Sequence, residues 1–203
     1  MKKTTPCILI LIMVYASCAY KYNSESDFQV SLLDDGKSAE ITDYTGGKQI
    51  VSIPPVIHGM KIVRIGNDAF KKKEILGVII PDSVTSIGNR AFAYNPLTSI
   101  TIPSGVTEIG EGAFAYCNNL NTGIAIPSSV KSIGRYAFFH CRNLPSITIP
   151  SSVKAFGEMA FYDWNILQTI NILGFDSQTA ADNVWQASWR DGCKAKIYYK
   201  KGE

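Results

Sequence analysis

The residues of this chain that could do chemistry are few and far apart. Its two histidines, His58 and His140, have no cysteine, serine or carboxylate at the spacing of a known catalytic motif. The segment Gly110-Glu111-Gly112 looks like a fragment of a phosphate-binding loop, but Gly110 belongs to a repeat described below, and one further glycine is a chance occurrence. No nucleophile, base and orienting group can be assembled, so the sequence predicts neither an enzyme nor a cofactor.

The N-terminus has the layout of an export signal. Two lysines precede an apolar run from Cys7 to Tyr15, and two small residues, Ala16 and Ser17, follow it. This run of nine residues is too short to span a bilayer. We therefore predict that residues 1–17 are a signal peptide.

Cys18 is the one candidate for covalent modification. The segment Tyr15-Ala16-Ser17-Cys18 resembles the end of a lipoprotein signal, in which small residues precede a cysteine that is diacylated and becomes the new N-terminus; Tyr15 stands where leucine is usual. Two acyl chains would anchor the protein stably to a membrane. The alternative is ordinary cleavage near Ala19, with Cys18 incidental.

Composition indicates one folded domain. The chain has 203 residues, of which 46% are hydrophobic and 18% are charged. Its formal charge of +3 includes the two lysines of the predicted signal, whose removal leaves 18 basic and 17 acidic side chains. Nothing in this balance indicates a nucleic-acid surface.

A unit of about 23 residues repeats along most of the chain. Four consecutive units begin IPDSVTSIGNRAF, IPSGVTEIGEGAF, IPSSVKSIGRYAF and IPSSVKAFGEMAF, with their prolines at Pro81, Pro103, Pro127 and Pro150. In every unit an Ala-Phe pair comes three residues after a glycine. A period of this length is typical of solenoid proteins.

Each unit is predicted to contain two short strands and a tight turn. The pattern Leu144-x-x-Ile147-x-Ile149 ends in two apolar residues two positions apart, as a strand with one buried face requires, and the proline that follows ends the strand. A second extended piece, Val-x-x-Ile-Gly, leads into the Ala-Phe turn, for which we predict a short helical or 3₁₀ segment. One unit cannot bury its own apolar face, so the units must stack and the two ends need caps.

These units resemble the BspA-like class of leucine-rich repeats, which read approximately L-x-x-I-x-I-P-x-x-V-x-x-I-G-x-x-A-F-x-x-C. The similarity covers about residues 50–173 and departs from the pattern at Trp164, which replaces cysteine or asparagine, and at Leu173, which stands where proline is usual. The resemblance implies a leucine-rich repeat solenoid of about five turns, mainly β with short helical turns. It also implies a bacterial surface or secreted protein that recognises other macromolecules, in some cases as an adhesin.

The segments on either side of the repeats predict a tether and two caps. Residues 18–27 are polar and lack periodicity, which indicates a tether. Residues 28–49 contain two strand-like runs around a turn-forming Asp-Asp-Gly, which indicates an N-terminal β-hairpin cap. Beyond the repeats, residues 174–203 predict a helix that Asp176 or Ser177 caps, and then a final strand.

Cys117 and Cys141 occupy the same position in neighbouring units, so stacking should bring them close together. A disulfide would form in an oxidising compartment, whereas two thiols would pack as small apolar side chains. We favour the thiols, because a disulfide requires a particular Cβ orientation as well as proximity. Cys193 has no evident partner, and these cysteines lack the metal-binding neighbours of a zinc site.

Two rows of residues are candidate binding surfaces. Along the main sheet, the position between the two inward isoleucines holds small or uncharged residues, among them Thr101, Thr148 and Asn171, although such residues also simply suit a stacked sheet. A second row follows the Ala-Phe pairs and is rich in aromatic side chains, which suit protein or glycan partners, although half of them would serve packing between turns. Its members are Tyr94, Tyr116, Phe139, His140, Tyr162 and Trp164.

The sequence and the resemblance together predict an exported protein, either a lipoprotein at the cell surface or outer membrane or a secreted protein. Its expected partner is an extracellular or surface protein of a host or a neighbouring cell. One alternative is a structural envelope protein whose turns serve spacing and self-association. Another is a glycan-binding module that uses the aromatic row. No metal and no nucleic-acid partner are predicted.

Overall fold

Short apolar alternations place one or two brief strands in each repeat, and the rest of each repeat is turn or irregular backbone. The computed structural model describes residues 22–201, which contain fourteen strands, one α-helix and two 3₁₀ turns. The strands are β1 (Phe28–Leu32), β2 (Ser38–Tyr44), β3 (Ile50–Ser52), β4 (Val56–Ile57), β5 (Met60–Ile65), β6 (Gly77–Ile79), β7 (Ser86–Ile87), β8 (Glu108–Ile109), β9 (Ile124–Ala125), β10 (Ser132–Ile133), β11 (Ser146–Ile149), β12 (Ala155–Phe156), β13 (Thr169–Leu173) and β14 (Lys196–Lys200). The helix is α1 (Gln178–Trp185), and the 3₁₀ turns are Glu25–Asp27 and Ala187–Arg190.

The strands stack into ladders that run along a solenoid. One sheet has the order β1-β2-β5-β7-β8-β10-β12, with β4 paired to β5, and the Ile-x-Ile strands form β3-β6 and β9-β11-β13-β14. From β2 onward these stacked strands pair in parallel, and equivalent residues of consecutive turns lie opposite each other, as Ile87, Ile109 and Ile133 do. Between β6 and β9, Ile100 and Ile102 stay buried although they lie outside any strand.

The centre of the solenoid is a ladder of aromatic rings, one from each of six consecutive turns. Its members are Tyr44, Phe70, Phe92, Phe114, Phe138 and Phe161, all without exposed surface. Consecutive ring centroids are 5.1 to 5.8 Å apart, and their planes differ by 3° to 22°. The constant spacing of the Ala-Phe pairs in the sequence therefore places one ring from each repeat in a continuous buried stack. We call this stack, including Tyr44, the phenylalanine ladder.

The glycine that precedes each Ala-Phe pair is required by the close approach of the turns. A Cβ on Gly110 would lie 2.6 Å from the carbonyl carbon of Gly88, and a Cβ on Gly134 would lie 2.5 Å from the amide nitrogen of Glu111. Contacts that short do not occur for real Cβ atoms. The turns can stack at this distance only because glycine has no side chain.

Two positions in every turn have a left-handed backbone, although most of their residues are not glycine. The first column lies two residues after the glycine that precedes each Ala-Phe pair. Its φ angles range from 52° to 58°, and its members are Asp68, Arg90, Gly112, Tyr136 and Met159. The second lies two residues after the ladder phenylalanine, with φ from 55° to 67°: Lys72, Tyr94, Tyr116, His140 and Asp163. Hydrogen bonds between turns hold this conformation, as in the 2.9 Å bond that the Tyr94 N–H donates to the Ala115 carbonyl. Gly112 is thus a member of a structural column, which accounts for the apparent phosphate-loop fragment.

The solenoid has about seven turns, not five. The predicted hairpin is present as β1 and β2, but β2 also pairs in parallel with β5, and the Tyr44 ring stacks on Phe70. At the other end β14 pairs in parallel with β13. Both caps therefore continue the stack. The sequence undercounts the turns because these two lack the Ile-Pro and Ala-Phe signatures.

A helix and two tryptophans close the C-terminal end of the core. The Ser177 hydroxyl accepts a hydrogen bond from the Ala180 N–H at 3.3 Å, so the predicted cap of α1 is present. Trp185 and Trp189 are buried, and the Trp189 ring lies 5.9 Å from the last ladder ring, Phe161, at 88°. The edge-to-face contact ends the parallel stack.

Residues 22–27 belong to the folded N-terminal cap. The prediction of a tether over residues 18–27 is therefore wrong for the part of it that the structure describes. Asn23 is buried; its amide oxygen accepts the Ser52 N–H at 3.0 Å, and its amide nitrogen donates to the Tyr44 hydroxyl at 3.1 Å. One asparagine thus supplies hydrogen bonds that composition alone does not indicate. The predicted signal peptide and Cys18 lie outside the described residues.

The last full repeat departs from the predicted core pattern. The pattern Leu-x-x-Ile-x-Ile recurs from Leu167 to Ile172, so it predicts that Leu167 is buried as Leu144 is. In the structure, however, Leu167 is 84% exposed and Gln168 is 2% exposed. The Gln168 amide nitrogen donates to the carbonyls of Cys141 and Leu144, each at 2.9 Å. Leucine could not satisfy these buried acceptors, so the amide takes the inward position.

Candidate functional site

In four consecutive turns, from Phe92 to Phe161, the residue three positions after the ladder phenylalanine donates a hydrogen bond into the core. Four different side chains do so, and each bonds to the carbonyl of the ladder phenylalanine in the preceding turn. The donors are Asn95 Nδ2 to Phe70 (2.6 Å), Cys117 Sγ to Phe92 (3.3 Å), Cys141 Sγ to Phe114 (3.1 Å) and Trp164 Nε1 to Phe138 (2.9 Å). This column is structural, because its side chains satisfy buried backbone acceptors.

Trp164 is consequently not part of a binding surface, and the prediction that placed it there is wrong. Its side chain is 1% exposed and packs edge-to-face against Phe161 at 5.0 Å. The indole replaces cysteine in the donor column because its N–H reaches the same kind of carbonyl.

Cys117 and Cys141 are free buried thiols, as favoured from the sequence. Burial raises the pKa of Cys117 to about 12 and raises the pKa of Cys141 well above its usual range. Burial also raises the pKa of the less enclosed Cys193. None of these thiols is therefore a ready nucleophile at neutral pH.

We expect Cys117 and Cys141 to resist Ellman's reagent in the native protein at neutral pH and to react once the chain is unfolded without reductant. In the native protein both thiols are inaccessible and protonated. In the unfolded chain both are exposed, and they can react because neither forms a disulfide. Mass spectrometry of the labelled peptides would identify which cysteines reacted. Rapid native labelling of Cys117, or its failure to react after unfolding, would contradict this account.

Five aromatic side chains predicted as a binding row do lie together, along one edge of the solenoid. We call this surface the aromatic edge; it consists of Tyr94, Tyr116, Phe139, His140 and Tyr162. All five line a cavity of about 550 Å³. The other lining residues are Arg90, Ala93, Glu111, Gly112, Ala115, Tyr136 and Met159. We call this space the edge cavity.

The rings of the aromatic edge stack on one another. The Tyr116 ring lies 4.5 Å from Tyr94 at 12° and 4.8 Å from His140 at 17°. The Phe139 ring stacks on Tyr162 at 5.1 Å and meets His140 edge-to-face at 4.2 Å. Burial and the neighbouring Tyr94 raise the pKa of Tyr116, so its hydroxyl stays protonated at neutral pH. The edge is therefore a preformed and largely neutral surface.

Charged groups at the ends of the aromatic edge are paired. The Arg90 guanidinium donates to both carboxylate oxygens of Asp68, each at 2.9 Å, which holds the pKa of Asp68 well below its usual range. At the other end Asp163 accepts a 2.5 Å hydrogen bond from Arg142 Nε, and His140 Nδ1 lies 2.7 Å from the same carboxylate oxygen. Arg142 is the main cause of the lowered pKa of Asp163. These pairs order the side chains that surround the cavity.

The main-sheet row lies apart from the edge cavity. Thr101 is exposed and lies outside any strand, whereas Thr148 and Asn171 are half-buried and face each other across β11 and β13. None of the three lines the edge cavity. The structure therefore does not bring the two predicted rows together.

The family follows from the repeated sequence. The model of the BspA type leucine rich repeat region matches residues 63–186, in six copies, which is more than half of the chain. The chain belongs to the BspA-type leucine-rich repeat family. No curated protein matches this BspA-type repeat protein.

Several solved structures are similar to the BspA-type protein. A leucine-rich repeat protein of T. pallidum is 22% identical, with a TM-score of 0.62, over 81% of this chain and 94% of its own; at that identity the likeness supports the fold alone. A leucine-rich repeat protein from Bacteroides capillosus is 28% identical over 72% of this chain and 94% of its own, with a TM-score of 0.45. A leucine rich cell surface protein from Faecalibacterium prausnitzii is 18% identical over 91% and 96%, with a TM-score of 0.30.

The described part of the BspA-type protein contains neither a cluster of metal-binding side chains nor a membrane-spanning helix. Between residues 22 and 201, no group of three or more His, Cys, Asp and Glu side chains is placed to hold a metal ion. No helix in the same range is long and apolar enough to cross a bilayer. The sequence does not predict Tyr136 and Glu111 as lining residues, because neither belongs to the row that follows the Ala-Phe pairs. Tyr136 is the one aromatic residue in the first left-handed column, and Glu111 directly follows a repeat glycine.

Proposed function

We propose that this protein is exported and binds a protein partner through the aromatic edge. The observation that carries the proposal is the convergence of five aromatic side chains around one preformed cavity. Tyrosine and phenylalanine give large contact area at a low cost in conformational entropy, which is why aromatic residues are enriched at the centres of protein interfaces. Membership of the BspA-type family supports a role in recognising other macromolecules. In an adhesin, the recognised molecule would lie on a host or neighbouring cell.

A protein partner fits the ring geometry better than a glycan does. A sugar ring stacks on an exposed aromatic face, but both faces of Tyr116 are occupied, one by Tyr94 and one by His140. Phe139 is likewise covered on one face by Tyr162. The edge therefore presents mainly ring edges and tyrosine hydroxyls, which suit side chains and backbone amides of a polypeptide.

Replacing both Tyr94 and Tyr116 by alanine is expected to weaken partner binding by at least about tenfold, because each truncation removes a ring from the centre of the surface. The measurement is surface plasmon resonance against a panel of purified extracellular-matrix proteins and polysaccharides. The matched control is Thr101→Ala with Thr148→Ala, which alters the other predicted row. Full binding by the tyrosine variant, or loss only in the threonine variant, would contradict the proposal, and selective binding of polysaccharides would favour a glycan partner.

The proposal includes a lipid anchor at Cys18. The described part of the chain begins at Tyr22, and four residues of chain span at most about 14 Å. A diacylated Cys18 would therefore hold the N-terminal cap close to the membrane, with the solenoid projecting from it. Such an anchor would place the protein at the cell surface or outer membrane.

Growing the producing cells with an alkyne-tagged fatty acid is expected to label the wild-type protein and leave Cys18→Ala unlabelled, because the acylated sulfur is then missing. Cys193→Ala is the matched control and should label normally. In-gel detection of the tag after purification provides the measurement. Equal labelling of wild-type and Cys18→Ala protein would rule out the anchor, and protease treatment of intact cells would test surface exposure independently.

Self-association is the competing function, and the C-terminal end of the solenoid argues against it. β14 is the last strand of its sheet among the described residues, so its outer edge is available for pairing. However, Lys196 and Lys200 flank that edge, and lysines on an edge strand oppose pairing with another chain. Sedimentation velocity over a concentration series should accordingly show a monomer, and reversible growth in mass would instead support a structural role.

A further inference from the structure

The edge cavity exists because the side chains of two columns change size abruptly along the solenoid. In the column that follows the ladder phenylalanine, Ala93 and Ala115 are succeeded by Phe139 and Tyr162. In the first left-handed column, Gly112 is succeeded by Tyr136. The small residues are buried and form the floor of the cavity, and the large residues of the next turns form its end wall.

The walls of the cavity fit a long, slender side chain. Its floor is aliphatic, and the Phe139 and Tyr136 rings meet edge-to-face at 5.2 Å to close one end. A chain of methylene groups can lie along such a floor while its polar end reaches the rim.

One charge at the rim has no ionic partner. Glu111 is exposed, and no cation lies within 4 Å of its carboxylate in the described part of the chain. Arg90, which also lines the cavity and is influenced by the Glu111 charge, is held by Asp68 through two hydrogen bonds. A cation that enters the cavity would therefore find a free carboxylate.

The aromatic side chains around the cavity already contact cations from this chain. The Lys72 ammonium lies 5.3 Å from the centroid of the Tyr94 ring, and the Arg135 guanidinium lies 4.5 Å from that of Tyr136. Both distances are within the range of cation–π attraction. Those ring faces are already occupied, so the attraction for a positively charged guest would come from the Glu111 carboxylate.

We propose that the edge cavity is a pocket for an arginine or lysine side chain of the partner protein, with its methylene groups on the alanine floor and its cationic group at Glu111. This inference rests on the proposed function, since it names the chemistry that the aromatic edge recognises. It assigns Glu111 the role of selecting basic segments.

The test uses two small probes of nearly the same shape, N-acetyl-arginine methylamide and the neutral N-acetyl-citrulline methylamide, in which a urea oxygen replaces one NH2 of the guanidinium. Titration of the ¹⁵N-labelled protein with each probe, followed by amide chemical shifts, should give shifts around Ala93, Gly112 and Ala115 with the arginine probe. Citrulline is expected to bind more weakly, and Glu111→Gln should weaken arginine binding roughly twofold to fivefold, as loss of an exposed charge pair does. Ala115→Phe should abolish the shifts, because a phenylalanine there would fill the cavity as Phe139 does one turn later.

Each outcome separates this inference from the proposed function. Equal binding of arginine and citrulline, or undiminished binding to Glu111→Gln, would overturn the role of charge. Shifts elsewhere on the protein, or none with either probe, would overturn the pocket. If a protein partner were nevertheless lost on substitution of Tyr94 and Tyr116, the docking surface would stand without the basic-side-chain pocket. If the Ala115→Phe variant unfolds at the same temperature as the wild-type protein, its loss of binding is not caused by a loss of folded structure.

Discussion

Replacing Phe114 by alanine is expected to lower the free energy of unfolding by about 3–5 kcal/mol, the range found when a fully buried phenylalanine is truncated in a packed core. Phe114 has no exposed surface, and its ring stacks between Phe92 at 5.6 Å and Phe138 at 5.4 Å. Alanine would leave a void that these two rings cannot close, because each is held by its own neighbour in the ladder. Urea denaturation followed by circular dichroism would measure the loss.

The position of Phe114 within the stack makes the effect large. Each turn of a solenoid is stabilised by the turns on both sides of it, so a central substitution weakens two interfaces. Tyr94→Ala is the matched control: its ring belongs to the exposed aromatic edge, and we expect a loss of no more than about 1 kcal/mol. Equal losses in the two variants would mean that the phenylalanine ladder is not the main source of stability.

Replacing Gly134 by alanine is expected to destabilise the protein by about 1–3 kcal/mol or more, although the change adds only one methyl group. The new Cβ would lie 2.5 Å from the amide nitrogen of Glu111 and 2.6 Å from the carbonyl carbon of Gly110, both backbone atoms of the preceding turn. Side chains can rotate away from a clash, but these atoms cannot move without separating two turns. The same denaturation experiment measures the effect.

Gly47→Ala is the control for this second substitution. A Cβ on Gly47 would meet no atom within 4 Å, and its backbone is not left-handed. We expect its stability to change by less than about 1 kcal/mol in either direction, because only the entropy of the unfolded chain is affected. If Gly134→Ala were as well tolerated as Gly47→Ala, the repeated glycine would not be set by the approach of the turns.

The repeated part of the fold could be predicted because each feature recurs at a fixed spacing. The Ala-Phe pairs predicted inward rings, and these form the phenylalanine ladder. The Ser177 cap of α1 and the hairpin of β1 and β2 could also be read from neighbouring residues. These are local patterns, in which the residues that decide the structure lie close together in the chain.

Features that depend on a single replacement could not be predicted in the same way. Trp164 departs from the repeat in the sequence, yet it keeps the donor role of the cysteine it replaces. Leu167 matches the repeat, yet Gln168 takes the inward position because buried carbonyls need a donor. In both cases the deciding partner lies 24 or more residues away in the chain. Hydropathy alone carries no information about such an acceptor.

By itself the sequence determined that the chain winds into stacked turns, since one repeat cannot bury its apolar face and only neighbouring repeats supply the missing contacts. It also brought Tyr94, Tyr116, His140 and their neighbours Phe139 and Tyr162 to one edge, because a constant period brings equivalent residues into register. Only the tertiary structure decided that Ala93 and Ala115 leave room beside Phe139, that the tyrosine faces are covered, and that Glu111 stands free at the rim. Those properties depend on distances between side chains of different turns, and spacing along the chain does not encode such distances.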